Sequence, residues 1–268
     1  MVETARGIAI NFHVRQLILA GLALSGSAGC RSIPFQEIEY VPVDSIPSSA
    51  AREQFARALP SEFQRVDTMV FQYKGSSIAA IGYTAVDTRR NVFTVVGISP
   101  VGIKLFELSG DRKEVECSFA LEEFMQRGDF ARAVADDIRR IYFDRIPPPG
   151  AEADKEKYRI IFRDQFADPA ARAPSSPGYA RDRLAGGASF RVSPAGRRGG
   201  GPGTMEYVFA GADPVLIRKR YYREKRNIWD VFYYEYRREN GKLHPGGIVF
   251  RHYQYRYQLV MRLKEIRE

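Results

Sequence analysis

Few side chains in this 268-residue chain have the types and spacing that chemistry requires. Beyond residue 30 the histidines are His244 and His252, one at the edge of a turn and one on the polar side of the last strand pattern. No H-E-x-x-H, paired C-x-x-C or G-x-S-x-G occurs, so zinc hydrolysis and nucleophile-elbow acyl transfer have no carrier. A zinc site would have to draw most of its ligands from carboxylates, which is uncommon. The adjacent acids Glu122-Glu123 and Asp136-Asp137 fall on predicted helix surfaces and read as solvated charge. RRGGGPG lacks the lysine and the strand–helix setting of a phosphate loop. Two cysteines remain. Cys117 lies in EVECSFA, a strand context that suggests a buried, inert thiol. Cys30 ends LILAGLALSGSAGC, and its thiol is the one group whose surroundings suggest a reaction. The expectation is a protein that is no enzyme and carries no metal and no cofactor.

What precedes Cys30 defines that reaction. Leu17 to Gly29 is apolar and uncharged, with Arg6 and Arg15 before it and Arg31 after Cys30. A spanning helix needs roughly 20 apolar residues, and this run is shorter. A basic flank, an apolar stretch of about 7–15 residues and a small-residue end describe a secretory signal. Ser27-Ala28-Gly29 before Cys30 resembles the lipobox of bacterial lipoproteins, with Ser27 in the place of the usual bulky residue. The resemblance implies that residues 1–29 are a signal peptide and that Cys30 takes a diacylglycerol and becomes the N-terminus. An ordinary cleaved signal with a free Cys30, or an uncleaved anchor, are the alternatives. Because Arg31 and not an aspartate follows the cysteine, the resemblance implies the outer membrane, facing the periplasm. After Cys30 only Cys117 is left, so no intramolecular disulfide framework is possible.

The formal net charge is +9, and removal of Arg6, Arg15 and Glu3 with the signal leaves the chain strongly basic. In an exported protein, anionic head groups or other envelope polyanions fit that charge better than nucleic acid, and plain solubility is the simpler reading. Hydrophobic residues make up 44%, enough for a real core. Fifteen Tyr and 17 Phe favour strands.

Residues 30–47 read as an extended tether broken by Pro34, Pro42 and Pro47. The rest, 48–268, reads as a single domain. Ser48 or Ser49 can cap a short helix running to about Leu59. Five strand patterns follow: VDTMVFQYKG, SSIAAIGYTAVD, NVFTVVGISP, VGIKLFELSG and DRKEVECSF. Their connections are short turns, so the strands should be sequential and antiparallel. In FARAVADDIRRIYFDRIPPP the period changes. Phe130, Val134, Ile138 and Ile141 recur at helical spacing behind an Asp129 N-cap. That apolar helix face must be buried, and the sheet is the obvious partner. Residues 151–164 are ambiguous, helical at the start and strand-like at YRIIF. From about 167 to 203 the chain turns to Pro, Gly, Ala, Ser and Arg, and a long disordered insertion is expected.

Four more strand patterns close the chain, with Asn240-Gly241 as a strong tight-turn signal. Trp229, Val231 and Tyr233 share one face of their strand, and Phe232, Tyr234 and Tyr236 the other. The final pattern alternates as one long strand. It sets Tyr253, Tyr255, Tyr257, Leu259, Met261 and Leu263 against His252, Gln254, Arg256, Gln258, Arg262 and Lys264. Val92, Phe93, Val95, Val96 and Ile98 make a strand apolar on both sides. Such a sheet either is covered on both faces or lines a cavity on one.

This order of elements, a lipobox, a tether and consecutive antiparallel strands, then the GISPVGIKLFELSGD hairpin, an amphipathic helix and YRYQLVMRLKEI as the closing strand, resembles the LolA/LolB-type superfamily of envelope lipoprotein carriers and receptors. The resemblance covers roughly residues 60–145 and 204–268. It implies a mainly β (α+β) fold: a curved antiparallel sheet forming an unclosed barrel, with helices covering the concave side. It implies a concave apolar cavity for acyl chains. Phe71, Ile81, Tyr83, Val96, Ile98, Leu105, Tyr207, Phe209, Tyr255, Tyr257, Leu259 and Met261 are the candidate lining residues. The expected partners are the membrane, through the N-terminal lipid, and a lipid or lipoprotein ligand. A structural or assembly lipoprotein that binds an envelope protein without a ligand is the alternative. The insertion at 167–203 departs from the superfamily pattern. So does the region 143–149, which does not match the exposed hydrophobic loop of the membrane-anchored receptor.

Overall fold

The computed structural model describes residues 34–125, 129–166 and 203–267. Cys30, the region 1–29 and all but the last residue of the expected insertion lie outside the described residues. The chain divides after Phe35, and Gln36–Glu268 form one unit. Within it a single antiparallel sheet carries twelve strands in the order β5-β4-β3-β2-β1-β12-β11-β10-β9-β8-β7-β6. The strands are β1 Glu62–Tyr73, β2 Ser76–Asp87, β3 Val92–Ile98, β4 Lys104–Gly110, β5 Val115–Ala120, β6 Glu152–Glu156, β7 Arg159–Phe166, β8 Gly203–Ala210, β9 Val215–Arg223, β10 Arg226–Glu239, β11 Lys242–His252 and β12 Tyr257–Arg267. Among the described residues the order is linear, with β5 and β6 as unpaired edges, so the sheet is open. On β6 the run Glu152-Ala-Asp-Lys-Glu156 is exposed throughout, and its charges discourage edge-to-edge pairing.

The described helices are α1 Ser48–Ala58, α2 Glu122–Met125 and α3 Phe130–Tyr142. Asp129 caps α3 as its position predicts, its carboxylate accepting from the Arg132 amide. At α1 the cap position falls on Pro47, not on a serine, and no side chain caps it.

The reach of α3 requires the sheet to curl. Arg139 donates to the carbonyls of Asp111 and Glu114, in the β4–β5 turn. Four residues on, the carbonyl of Phe143 accepts from Lys219 on β9. Strands β4 and β9 are seven spacings apart in the sheet order. At roughly 4.8 Å per spacing, that is about 34 Å across a flat sheet. Four helical residues advance only about 6 Å. The two contacts coexist because the sheet wraps around the helix, with α3 on the inner side. The inner rows follow from the register: Phe63 against Val86 and Val86 against Phe93, Met69 against Ala80 and Met261, Ile248 against Met261 and Tyr233, and Tyr207 against Phe162. Ala135, Ile138, Ile141 and Tyr142 of α3 and Phe55 of α1 belong to the same buried cluster. Full burial of each large side chain contributes about 1.5–3 kcal/mol.

Four expectations change. The long closing strand is two strands joined by a turn at Tyr253–Arg256, with Arg256 left-handed at φ 56. Alternation therefore holds only from Tyr257 onward. The helical-looking start of 151–164 is strand β6, hairpinned to β7 through Lys157-Tyr158. Glu235, at φ 52, interrupts β10, and Tyr236 leaves the company of Phe232 and Tyr234 to meet Phe55, its hydroxyl donating to the Leu216 carbonyl. Cys117 is exposed, because β5 is an edge strand whose central residues are open to solvent.

Candidate functional site

The inner face holds a set of polar side chains that composition alone places at the surface. Asp137, expected to be solvated, faces inward from α3. One carboxylate oxygen accepts from Arg140 at 2.9 Å and the other from the Tyr257 hydroxyl at 2.5 Å. Burial pushes its pKa up to about 7, against the opposing pull of Arg140 and Tyr257. Beside Tyr257 lies His252, expected on a polar face but buried, its ring stacked on Tyr257 at 5.3 Å and tilted against Tyr255 at 4.5 Å. Burial, with the nearby Arg140, lowers its pKa to about 4, so it stays neutral. His244 is buried too, edge-on to Phe63.

Further along α3 the sheet grips the helix end. Tyr233 donates to the Ile141 carbonyl at 2.7 Å, and Lys219 donates to the Phe143 carbonyl at 2.8 Å while lying over the Trp229 ring. Burial lowers the Lys219 pKa to about 7, with Asp144 opposing. Arg65 and Asp67 form a bidentate pair with almost no exposure, and Arg65 also sits 5.5 Å from the Tyr142 ring centre. Burial works against the Arg65 charge, but the Asp67 carboxylate outweighs it and holds the guanidinium protonated. Sequence reasoning missed these groups. A lysine, an arginine and an aspartate on alternating strands look solvated until the register shows which face they share.

The twelve lining candidates do not all meet. Phe71, Leu259 and Met261 come together on the inner face where β1 pairs β12, and the Phe71 and Tyr257 rings lie tilted to each other at 5.3 Å. Tyr207 and Phe209 lie on the same face but across the curl, with Phe209 against Phe55 and Phe162. Leu105 packs against the core. Ile81, Tyr83, Val96 and Ile98 are on the outer face. Their paired neighbours Gly82, Thr84, Val95 and Gly97 point inward, and strand alternation sends the rest outward. There Tyr83 and Val96 help line an outer hollow of about 200 Å³. Tyr255 is 61% exposed, in the β11–β12 turn.

Most of the inner face is closed, but one part is not. Met69, Phe71, Ile78, Tyr257 and Leu259 are only half-buried. They form an apolar patch where β1, β2 and β12 meet the Asp137 side of α3. At the same end of the sheet, the β3–β4 loop exposes Val101 (81%) and Ile103 (57%). Phe143, by contrast, is buried. Loop 99–103 thus exposes two large apolar side chains, and the 143–149 region exposes one, Ile146. Among the described residues no group of three His, Cys, Asp or Glu could hold a metal. No described helix is long and apolar enough to cross a membrane.

No protein-family model matches the sequence, and no curated protein matches it. Solved structures similar to this chain include a LolA superfamily protein from Nitrosomonas europaea, at 9% identity and a TM-score of 0.47, covering 83% of this chain and 93% of that one. A domain assigned to outer membrane lipoprotein sorting, from Vibrio parahaemolyticus, is 11% identical with a TM-score of 0.41, covering 81% of this chain and 89% of its own. A DUF1329 family protein from Desulfovibrio piger is 9% identical with a TM-score of 0.40, covering 82% and 92%.

Proposed function

We propose that this protein is an outer-membrane lipoprotein, anchored through Cys30 and facing the periplasm, that binds an acyl chain or a lipidated protein against the inner face of its sheet. The observation that carries this reading is the half-buried patch of Met69, Phe71, Ile78, Tyr257 and Leu259. It is apolar, it continues into the buried core through Met69 and Leu259, and it meets α3 where Tyr257 bonds Asp137. An acyl chain laid along Phe71 and Leu259 would go on burying apolar area at about 25 cal/mol per Å². To go deeper it must take the place of Ala135, Ile138 and Ile141, so α3 has to tilt away from the sheet. The contacts that α3 would give up first are those of Asp137 with Tyr257, at the open end of the face.

The test uses the full chain with Cys30→Ala, purified without its lipid anchor from the soluble envelope fraction and examined by native mass spectrometry. The reading expects a co-purified phospholipid or acylated peptide, and Phe71→Asp should reduce its occupancy at least tenfold. A clean apo mass, with a stoichiometric envelope protein in its place, would reject it in favour of an assembly lipoprotein with a filled core.

A further inference from the structure

Three hairpins stand side by side in the sheet order β2-β1-β12-β11-β10-β9: β1–β2, β11–β12 and β9–β10. Antiparallel pairing puts their turns at one end, because Tyr73 pairs with Tyr257, and His252, across from Tyr257, pairs with Trp229. This is also the end at which the half-buried inner patch opens.

The tips hold Lys74, Lys225, Arg226 and Arg256, all exposed. Among the described residues none of the four has an ion-pair partner; Lys74 lies over the Tyr73 ring at 5.1 Å. Glu224 is the one acid in these turns. Tyr73, Tyr253 and Tyr255 stand exposed beside the cations.

The backbone makes the choice of residues informative. Lys74 (φ 47), Glu224 (φ 48), Lys225 (φ 67) and Arg256 (φ 56) are all left-handed. That conformation costs an ordinary residue about 1–2 kcal/mol, and only Gly, Asn and Asp take it readily. At the opposite end of the sheet the left-handed turn positions follow the rule, at Asn91, Gly211, Asn240 and Gly241, and at the open end Gly75 and Gly102 follow it too, but the four charged positions do not. There, acids also sit among the bases, as in Arg90 with Asp87 and Arg112 with Asp144. At the open end, three of the four left-handed charged residues are cations held against backbone preference, beside amphipathic tyrosines. Tyr and Lys/Arg together are what an anionic lipid interface selects.

We propose that these three hairpin tips dock on an anionic phospholipid surface, with Lys74, Lys225, Arg226 and Arg256 on the phosphates and Tyr73 and Tyr255 among the head groups. The inference deepens the lipid-handling reading and rests on it for the presence of a membrane. Docking in this way turns the open patch of the inner face toward the bilayer.

The test is sedimentation of the full chain carrying Cys30→Ala with two kinds of vesicle: phosphatidylcholine alone, and phosphatidylcholine mixed equally with phosphatidylglycerol. Binding is expected only to the second. The triple variant Lys74→Gly, Lys225→Gly, Arg256→Gly should lose that binding at least tenfold. Glycine relieves the left-handed backbone at each site, and urea unfolding of the triple variant, expected to match the parent, separates lost charge from lost fold. An equal loss of charge at the other end, Arg89→Ser, Lys113→Ser, Arg238→Ser, should leave it within about twofold, since screened charges act only near the surface. Equal loss in the two triples, no dependence on phosphatidylglycerol, or tighter binding to a single-stranded oligonucleotide than to the vesicles would overturn the proposal. Acyl occupancy is read separately: docking without a bound acyl chain would sink the function proposed above and leave this inference standing, and the converse would do the opposite.

Discussion

The ammonium nitrogen of Lys219 lies 2.8 Å from the carbonyl oxygen of Phe143, the residue that ends α3, and 5.7 Å from the centre of the Trp229 ring. A strand from the far side of the sheet thereby holds the C-terminal end of the helix that covers the inner face. The same interaction satisfies an orphan carbonyl and sets a positive charge at the negative end of the helix dipole.

Lys219 should leave a signature in the pH dependence of stability. Its folded pKa is lowered to about 7 from 10.5, mainly by burial. Between those values the folded protein binds fewer protons than the unfolded chain, so stability rises with pH and falls as pH drops toward 7. Lys219→Met should flatten this rise. Urea unfolding near pH 7 and near pH 9.5 should show a variant-minus-native difference of a few kcal/mol between the two, since one unit is about 1.4 kcal/mol. The same slope in both proteins would mean that the ammonium is better solvated than the structure shows.

Asp137 acts in the opposite sense and in a lower window. Burial raises its folded pKa to about 7 from 3.8, so there the folded state holds the extra proton. Its stabilising effect is complete at low pH and is lost as pH rises through 7. Asp137→Asn should remove that decline. Tyr257→Phe should move it to higher pH, because the Tyr257 hydroxyl bond favours the ionised carboxylate. Stability measured at intervals from about pH 5 to pH 8 distinguishes the three proteins. A Tyr257→Phe profile shifted downward contradicts the assignment.

The Arg65–Asp67 pair is buried on both sides, with side-chain exposures of 1% and 0%. Removing one partner strands the other charge in the interior. Asp67→Ala should therefore cost about 3–5 kcal/mol, while the double change Arg65→Met, Asp67→Leu should cost much less. Denaturant titration of the two variants is the check, and equal losses would show that packing dominates over charge.

The sequence patterns that carried through are those in which local and long-range preferences agree. Strands β1 to β5 fall between turn residues in the expected antiparallel order, and Asp129 both ends a loop and caps a helix. Asn240-Gly241 turns where it should, with φ of 49° and 79°. The turn at Tyr253–Arg256 has no Gly, Pro or Asn, and the Tyr/polar alternation runs straight through it, so nothing local separates β11 from β12. The Glu224-Lys225 turn also lacks Gly, Pro and Asn, yet there the boundary between two of the closing strand patterns falls where the structure turns. The inner polar groups were hidden by a different cause. Whether Lys219, Arg65 or Asp137 faces water depends on how far the sheet curls, and curl is a property of the whole strand order. The same limit split the lining candidates: apolar content selected Tyr83 and Val96, but only register reveals that they lie on the opposite face from Phe71 and Met261.

Two inward glycines of one register row test the packing of that curl. Gly82 and Gly97 pair with each other across β2 and β3. A Cβ on Gly97 would fall 2.4 Å from the ring of Phe106, which is buried and packed edge-on against Phe124 and Phe130. A Cβ on Gly82 would fall 2.6 Å from the sulfur of Met69, the end of an adaptable chain at the half-buried patch. Gly97→Ala should thus cost about 1–3 kcal/mol, as overpacking does in a closed core. Gly82→Ala should cost clearly less, with Met69 swinging away. Thermal or urea unfolding of the two alanine variants measures the contrast. If Gly82→Ala proves as costly as Gly97→Ala, the Met69 end of the inner face is as tightly packed as the Phe106 end, and the open patch on which the function proposal rests is lost with it.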